Sequence, residues 1–98
     1  MATLNVAAPS LAASHHMGDL YVTPGSVDLM DYTPIKHGDE IVKLCDNPVY
    51  VFRLRTLEAW WTKRAADGLI PVAMNPLTNE PVRKQEDIVR YKAYMYLE

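Results

Sequence analysis

The stretch that most constrains this chain runs from Pro48 to Val82, PVYVFRLRTLEAWWTKRAADGLIPVAMNPLTNEPV. Its opening, Val49 to Leu54, is dense in β-branched and aromatic residues, the composition of a strand. Strand alternation would put Tyr50, Phe52 and Leu54 on one face. Thr56 is placed to cap a helix from Leu57 to about Asp67. Glu58 in its first turn and Lys63 and Arg64 towards its last suit the helix dipole. Gly68 then supplies the left-handed residue that commonly follows a helix end. Leu57, Trp60, Trp61, Arg64 and Ala65 recur at helical spacing, so one tryptophan belongs in the core and the second is either packed as well or half exposed. Beyond the helix, Leu69 to Met74 reads as a short extended run confined by Pro71. Asn75 to Pro81 reads as a compact turn with Asn75, Thr78 and Asn79 bonding the local backbone.

On either side of this stretch the patterns differ. Upstream, Glu40 to Leu44 reads as a strand, and Cys45-Asp46-Asn47-Pro48 as the turn that makes it a hairpin with the next. Cys45 is expected as a small, half-buried apolar residue. Downstream, Gln85 to Tyr96 is expected to be a helix, with Glu86 and Asp87 in its first turn and Ile88, Tyr91 and Met95 along one stripe. Residues 1 to 38 show neither a two-residue nor a 3.6-residue period and are cut by Pro9, Gly18, Pro24, Gly25, Pro34 and Gly38. They are nonetheless too apolar for a solvating linker. The expectation is an extended irregular arm over 1–38, docked on this core or on a neighbour, followed by a compact α+β domain over 39–98.

Composition limits the functions available. Ninety-eight residues make at most one domain with a small core. A net charge of −2 gives no basic field for nucleic acid. The single cysteine forbids an internal disulfide and fits a reducing, intracellular compartment. No run is apolar enough to span a membrane, and the N-terminus lacks the basic region of a secretory signal. His15 and His16 would point to opposite sides of an extended segment, and His37 sits in a turn, so no metal set is expected. Neither a nucleophile motif nor a glycine-rich phosphate loop occurs, and no catalytic or cofactor-binding residue is assigned.

The order of hairpin, tryptophan helix, short strand, Pro-Leu-Thr turn and helix resembles the U-box family, the zinc-free relatives of RING domains. Asn47-Pro48-Val49 stands where that family has its DPV-like segment. Leu57 with Trp60 or Trp61 stands at the helix positions, and Asn75-Pro76-Leu77-Thr78 at the turn. The resemblance extends to small U-box-like proteins of large DNA viruses and covers roughly residues 40–96. It implies an α+β fold, a small β-hairpin plus two helices in a ββαβα core, here with a long extended N-terminal arm. It also implies a surface for a ubiquitin-conjugating enzyme, formed by Pro34, Ile35, Trp61 and Pro76.

Two functions follow as expectations. The first is a non-catalytic structural or scaffolding subunit that docks onto neighbouring proteins of a larger assembly, such as a minor component of a virus particle. The second is a U-box-like adaptor of ubiquitin transfer. Both need partner-binding residues, and those expected are Leu20, Tyr21, Val22, Ile35, Trp61, Pro76, Tyr94 and Tyr96. The partners would be other protein subunits, with no small-molecule substrate and no nucleic acid, in the cytoplasm or a virion.

Overall fold

A computed structural model describes residues 9–45 and 50–95, apart from the side chain of His15. The chain forms β1 (His15–Tyr21), β2 (Glu40–Leu44), β3 (Val51–Arg53), the helix α1 (Leu54–Ala66), a 3₁₀ turn (Gln85–Asp87) and β4 (Ile88–Tyr94). The strands make one mixed sheet in the order β1-β4-β2-β3. β4 runs parallel to β1 and antiparallel to β2, and β2 runs antiparallel to β3.

This arrangement overturns the expected ββαβα core. Among the described residues α1 is the only α-helix, and most of the segment expected to be the second is β4, an interior strand. The stripe Ile88, Tyr91 and Met95 fits helical spacing, but an interior strand covered on both faces has no clean two-residue alternation to betray it. Ile88 and Ala93 are buried on opposite sides of the sheet. β4 is also paired by the segment read as an extended arm, which supplies β1.

Alternation sorts the interior into two layers. Val42 and Leu44 of β2, Phe52 of β3 and Ile88 of β4 face α1, where Leu57 and Trp61 meet them together with Leu11, Ala73 and Val82. Ile41, one residue out of step with Val42, faces the other way into a smaller cluster with Val22, Ile35 and Ala93. Burying a large aliphatic or aromatic side chain contributes about 1.5–3 kcal/mol. Phe52, Ile41, Leu44, Leu57 and Ile88, all fully buried, therefore carry much of the fold.

The helix begins at Leu54, earlier than the Thr56 cap implies. β3 runs straight into it through Arg53, whose backbone is extended and whose side chain makes no cap bond. Glu58 consequently falls outside the first turn. The stop is as expected. Gly68 has φ +71°, its N–H donates to Ala65 O and the Leu69 N–H to Arg64 O, the paired bonds of a Schellman ending. Trp61 is buried and its Nε1–H donates to Met74 O at 2.9 Å, while Trp60 is half-buried under the Arg64 guanidinium. In the turn that follows, Asn75 Oδ1 accepts the Leu77 N–H and Thr78 Oγ1 the Glu80 N–H. Asn79 instead takes a left-handed conformation, φ +59°.

The chain ahead of β1 is fastened across the molecule. Ser10 and Gln85 exchange two hydrogen bonds of 2.8 Å, Ser10 N–H to Oε1 and Nε2–H to Ser10 O. Leu11 enters the helix-side core. Cys45 is exposed rather than half-buried, because the chain turns out of the sheet there. The expected Asn47-Pro48-Val49 segment lies outside the described residues.

Candidate docking groove on the sheet face opposite the helix

The groove is made by a loop laid over the sheet. After β1 the chain doubles back between residues 22 and 39, and a few polar groups fix its path. A turn at Gly25, φ +93°, is closed by the Ser26 N–H to Thr23 O. Val27 and Pro34 form an isolated bridge, and the Ile35 N–H donates to Ser26 O. Tyr32, at the tip, holds φ +60° and is 75% exposed.

Two buried charged residues join this loop to β3. The Asp28 carboxylate, fully enclosed, accepts the Met30 N–H at 2.7 Å and the Arg53 N–H at 2.9 Å. It thereby occupies one backbone donor of a strand at the sheet's edge. The Arg53 guanidinium donates to Thr33 Oγ1 and Pro34 O, and its Nε approaches Asp39 Oδ2 at 3.4 Å. Asp31 lies 3.9 Å from the same guanidinium. Its pKa is lowered from the ordinary 3.8, first by the Thr33 hydroxyl and the Thr33 N–H, then by the Arg53 charge. At the other end of the sheet the Gly38 N–H donates to Ala93 O, and His37 Nδ1 accepts the Met95 N–H.

Between loop and sheet lies an open groove of about 630 Å³. Leu20, Val22, Val27, Ile35 and Val51 give it apolar walls, and Lys43 is the one cation among its lining residues. Thr23 and Ser26 also line it, with hydroxyl oxygens 3.2 Å apart. Tyr21 contributes as well, half exposed, with its ring 6.3 Å from that of Tyr94, which in turn meets His37 edge-on at 5.6 Å. Mostly apolar walls with a few polar groups are the usual make-up of a binding site.

Of the expected partner-binding residues, Leu20, Tyr21, Val22 and Ile35 are brought together here, and Tyr94 sits against Tyr21. Val22 and Ile35 contribute from inside, being 7% and 3% exposed. Trp61 is buried on the opposite side of the sheet, and Pro76 lies in the turn after it. Tyr96 is outside the described residues. Sequence reasoning missed Lys43 and Val51. Alternation along β2 separates Lys43 from Val42 and Leu44, but which face would carry a groove depends on the loop. The Asp28-x-x-Asp31-Tyr32-Thr33-Pro34 pattern, rich in residues that bond their own backbone, was the available signal for the turn of the covering loop.

Among the described residues no group of three or more His, Cys, Asp or Glu could hold a metal ion, and no helix is long and apolar enough to cross a membrane. His16 stands 3.8 Å from Glu40 on the sheet surface. Compared with protein-family models, with curated proteins and with solved structures, the chain matches none.

Proposed function

We propose that this protein is a non-catalytic structural subunit that docks onto neighbouring proteins of a larger assembly through the groove between the 22–39 loop and the sheet. The observation that carries the reading is the convergence of Leu20, Val22, Ile35 and Val51 on an open apolar groove with half-exposed Tyr21 at its lining. Tyrosines beside apolar clefts are common anchors of protein interfaces. The loop is pinned by buried polar bonds, so the surface is formed before a partner arrives and little ordering cost attends binding. An intracellular assembly, a virus particle among them, is supported by the single cysteine and by the sequence resemblance. The arrangement favours this over a conjugating-enzyme surface, because Ile35 and Trp61 are both buried and lie on opposite sides of the sheet.

A photo-crosslinking amino acid in place of Tyr21, with a control at exposed Glu86, tests the reading in the native host cell. The expected result is a crosslink to one neighbouring protein from position 21 only, and at least a tenfold weaker reconstituted complex for Tyr21→Ser. Equal labelling from both positions, or a reconstituted complex indifferent to Tyr21→Ser, would overturn it.

A further inference from the structure

We propose that the segment received by the groove is an apolar peptide of the neighbouring chain carrying one aspartate or glutamate, whose carboxylate meets Lys43. The proposal rests on the docking reading above and adds the chemistry of the partner.

Lys43 is half-buried on β2, with Val51 directly across on β3 and Val89 directly across on β4. An ammonium group held along an apolar strip loses hydration, and an opposite charge offsets that loss. The described acids of the 28–40 segment are engaged elsewhere. Asp28 accepts from Met30 and Arg53, Asp31 and Asp39 face the Arg53 guanidinium, and Glu40 projects to the other side of β2 beside His16. Among the described residues the ion pairs are those of His16 and Arg53, and Lys43 takes part in none.

The remaining lining selects a peptide. Leu20, Val22 and Val51 offer apolar contacts for side chains, while the Thr23 and Ser26 hydroxyls can bond a peptide backbone. A lipid surface or a nucleic acid would call for a cluster of basic residues, and this groove is lined by a single lysine.

The test is selection of a phage-displayed random heptapeptide library on the full chain and on Lys43→Glu, with the fold of the variant checked by thermal melting. Wild type should enrich apolar heptapeptides containing one acid. The best of them, made synthetically, should bind Lys43→Glu at least tenfold more weakly, and replacing its acid with lysine should restore binding to that variant. NMR shifts on titration should map to Leu20, Val22 and Val51. Acid-free peptides that bind the groove as well, or a charge swap that restores nothing, would overturn this inference and leave the docking reading standing. Failure to enrich any peptide that shifts the groove resonances would overturn both.

Discussion

Replacing Asp28 by alanine should loosen the whole loop that builds the groove. The carboxylate accepts two backbone N–H groups, and alanine leaves both without a partner. The Arg53 donor is buried and cannot be rescued by water without opening the loop, whereas the Met30 donor is partly accessible. An orphaned buried donor costs about 1–3 kcal/mol, and bonds to a charged acceptor lie at the upper end. Together the two losses come to roughly 2–4 kcal/mol. Against a typical domain stability of about 5–15 kcal/mol, the variant still folds. Asp28→Asn keeps one carbonyl acceptor and should lose about half as much. Urea unfolding at pH 7, followed by tryptophan fluorescence, reads the effect. With a slope of about 1–3 kcal/mol per molar, the alanine midpoint should fall by at least roughly 0.7 M, with asparagine between it and wild type. Midpoints within experimental error of wild type for both variants would show that Asp28 does not hold the loop.

Other expectations follow from single contacts. Asp31 has a depressed folded pKa, so its contribution is present above its unfolded value of 3.8 and is lost as pH falls through the lower folded value. Urea midpoints between pH 2 and 5 should therefore drop less steeply for Asp31→Asn than for wild type. Ile88→Ala removes a fully buried side chain from the helix-side core and should cost about 2–5 kcal/mol by the same unfolding assay. Trp61→Phe leaves the Met74 carbonyl without its indole donor and should destabilise by about 1–3 kcal/mol, while Trp60→Phe at the half-buried site should cost less; paired thermal melts check the order. Tyr32→Gly relieves a left-handed backbone at an exposed tip, and should leave the melting temperature unchanged or raise it, since about 1 kcal/mol is recovered and no packing is lost.

What the sequence made legible was local. The run Val51-Phe52 with Ile41-Val42, the tryptophan pair at helical spacing and the glycine stop at position 68 are each set by neighbours a few residues away, and each is found. β4 was opaque for two reasons. A strand covered on both faces shows no alternation, and its partner β1 lies more than seventy residues upstream, as the pairing of His16 with Arg90 shows. β1 in turn is an edge strand broken by a register shift between His16 and Asp19, so its pattern is nearly silent. The groove was half visible. Leu20, Tyr21, Val22 and Ile35 stood out as apolar residues in an irregular segment. That they would face Lys43 and Val51 depended on Asp28 and Arg53, whose bonds span 25 residues.

The place of β4 has a consequence for how the molecule comes into being. Of the described strands it is the last to leave the ribosome, yet it fills the slot between the first and the second. Until Ile88 to Tyr94 emerges, β1 has nothing to lie against, and Ile41 and Val42 wait with one flank of their strand bare. The sheet can therefore close only once Ile88 to Tyr94 has been made, long after β1 and β2 are available. A ribosome stalled before that point would carry a sticky, half-paired hairpin, and a host that makes this protein in quantity would need to shield it for that interval.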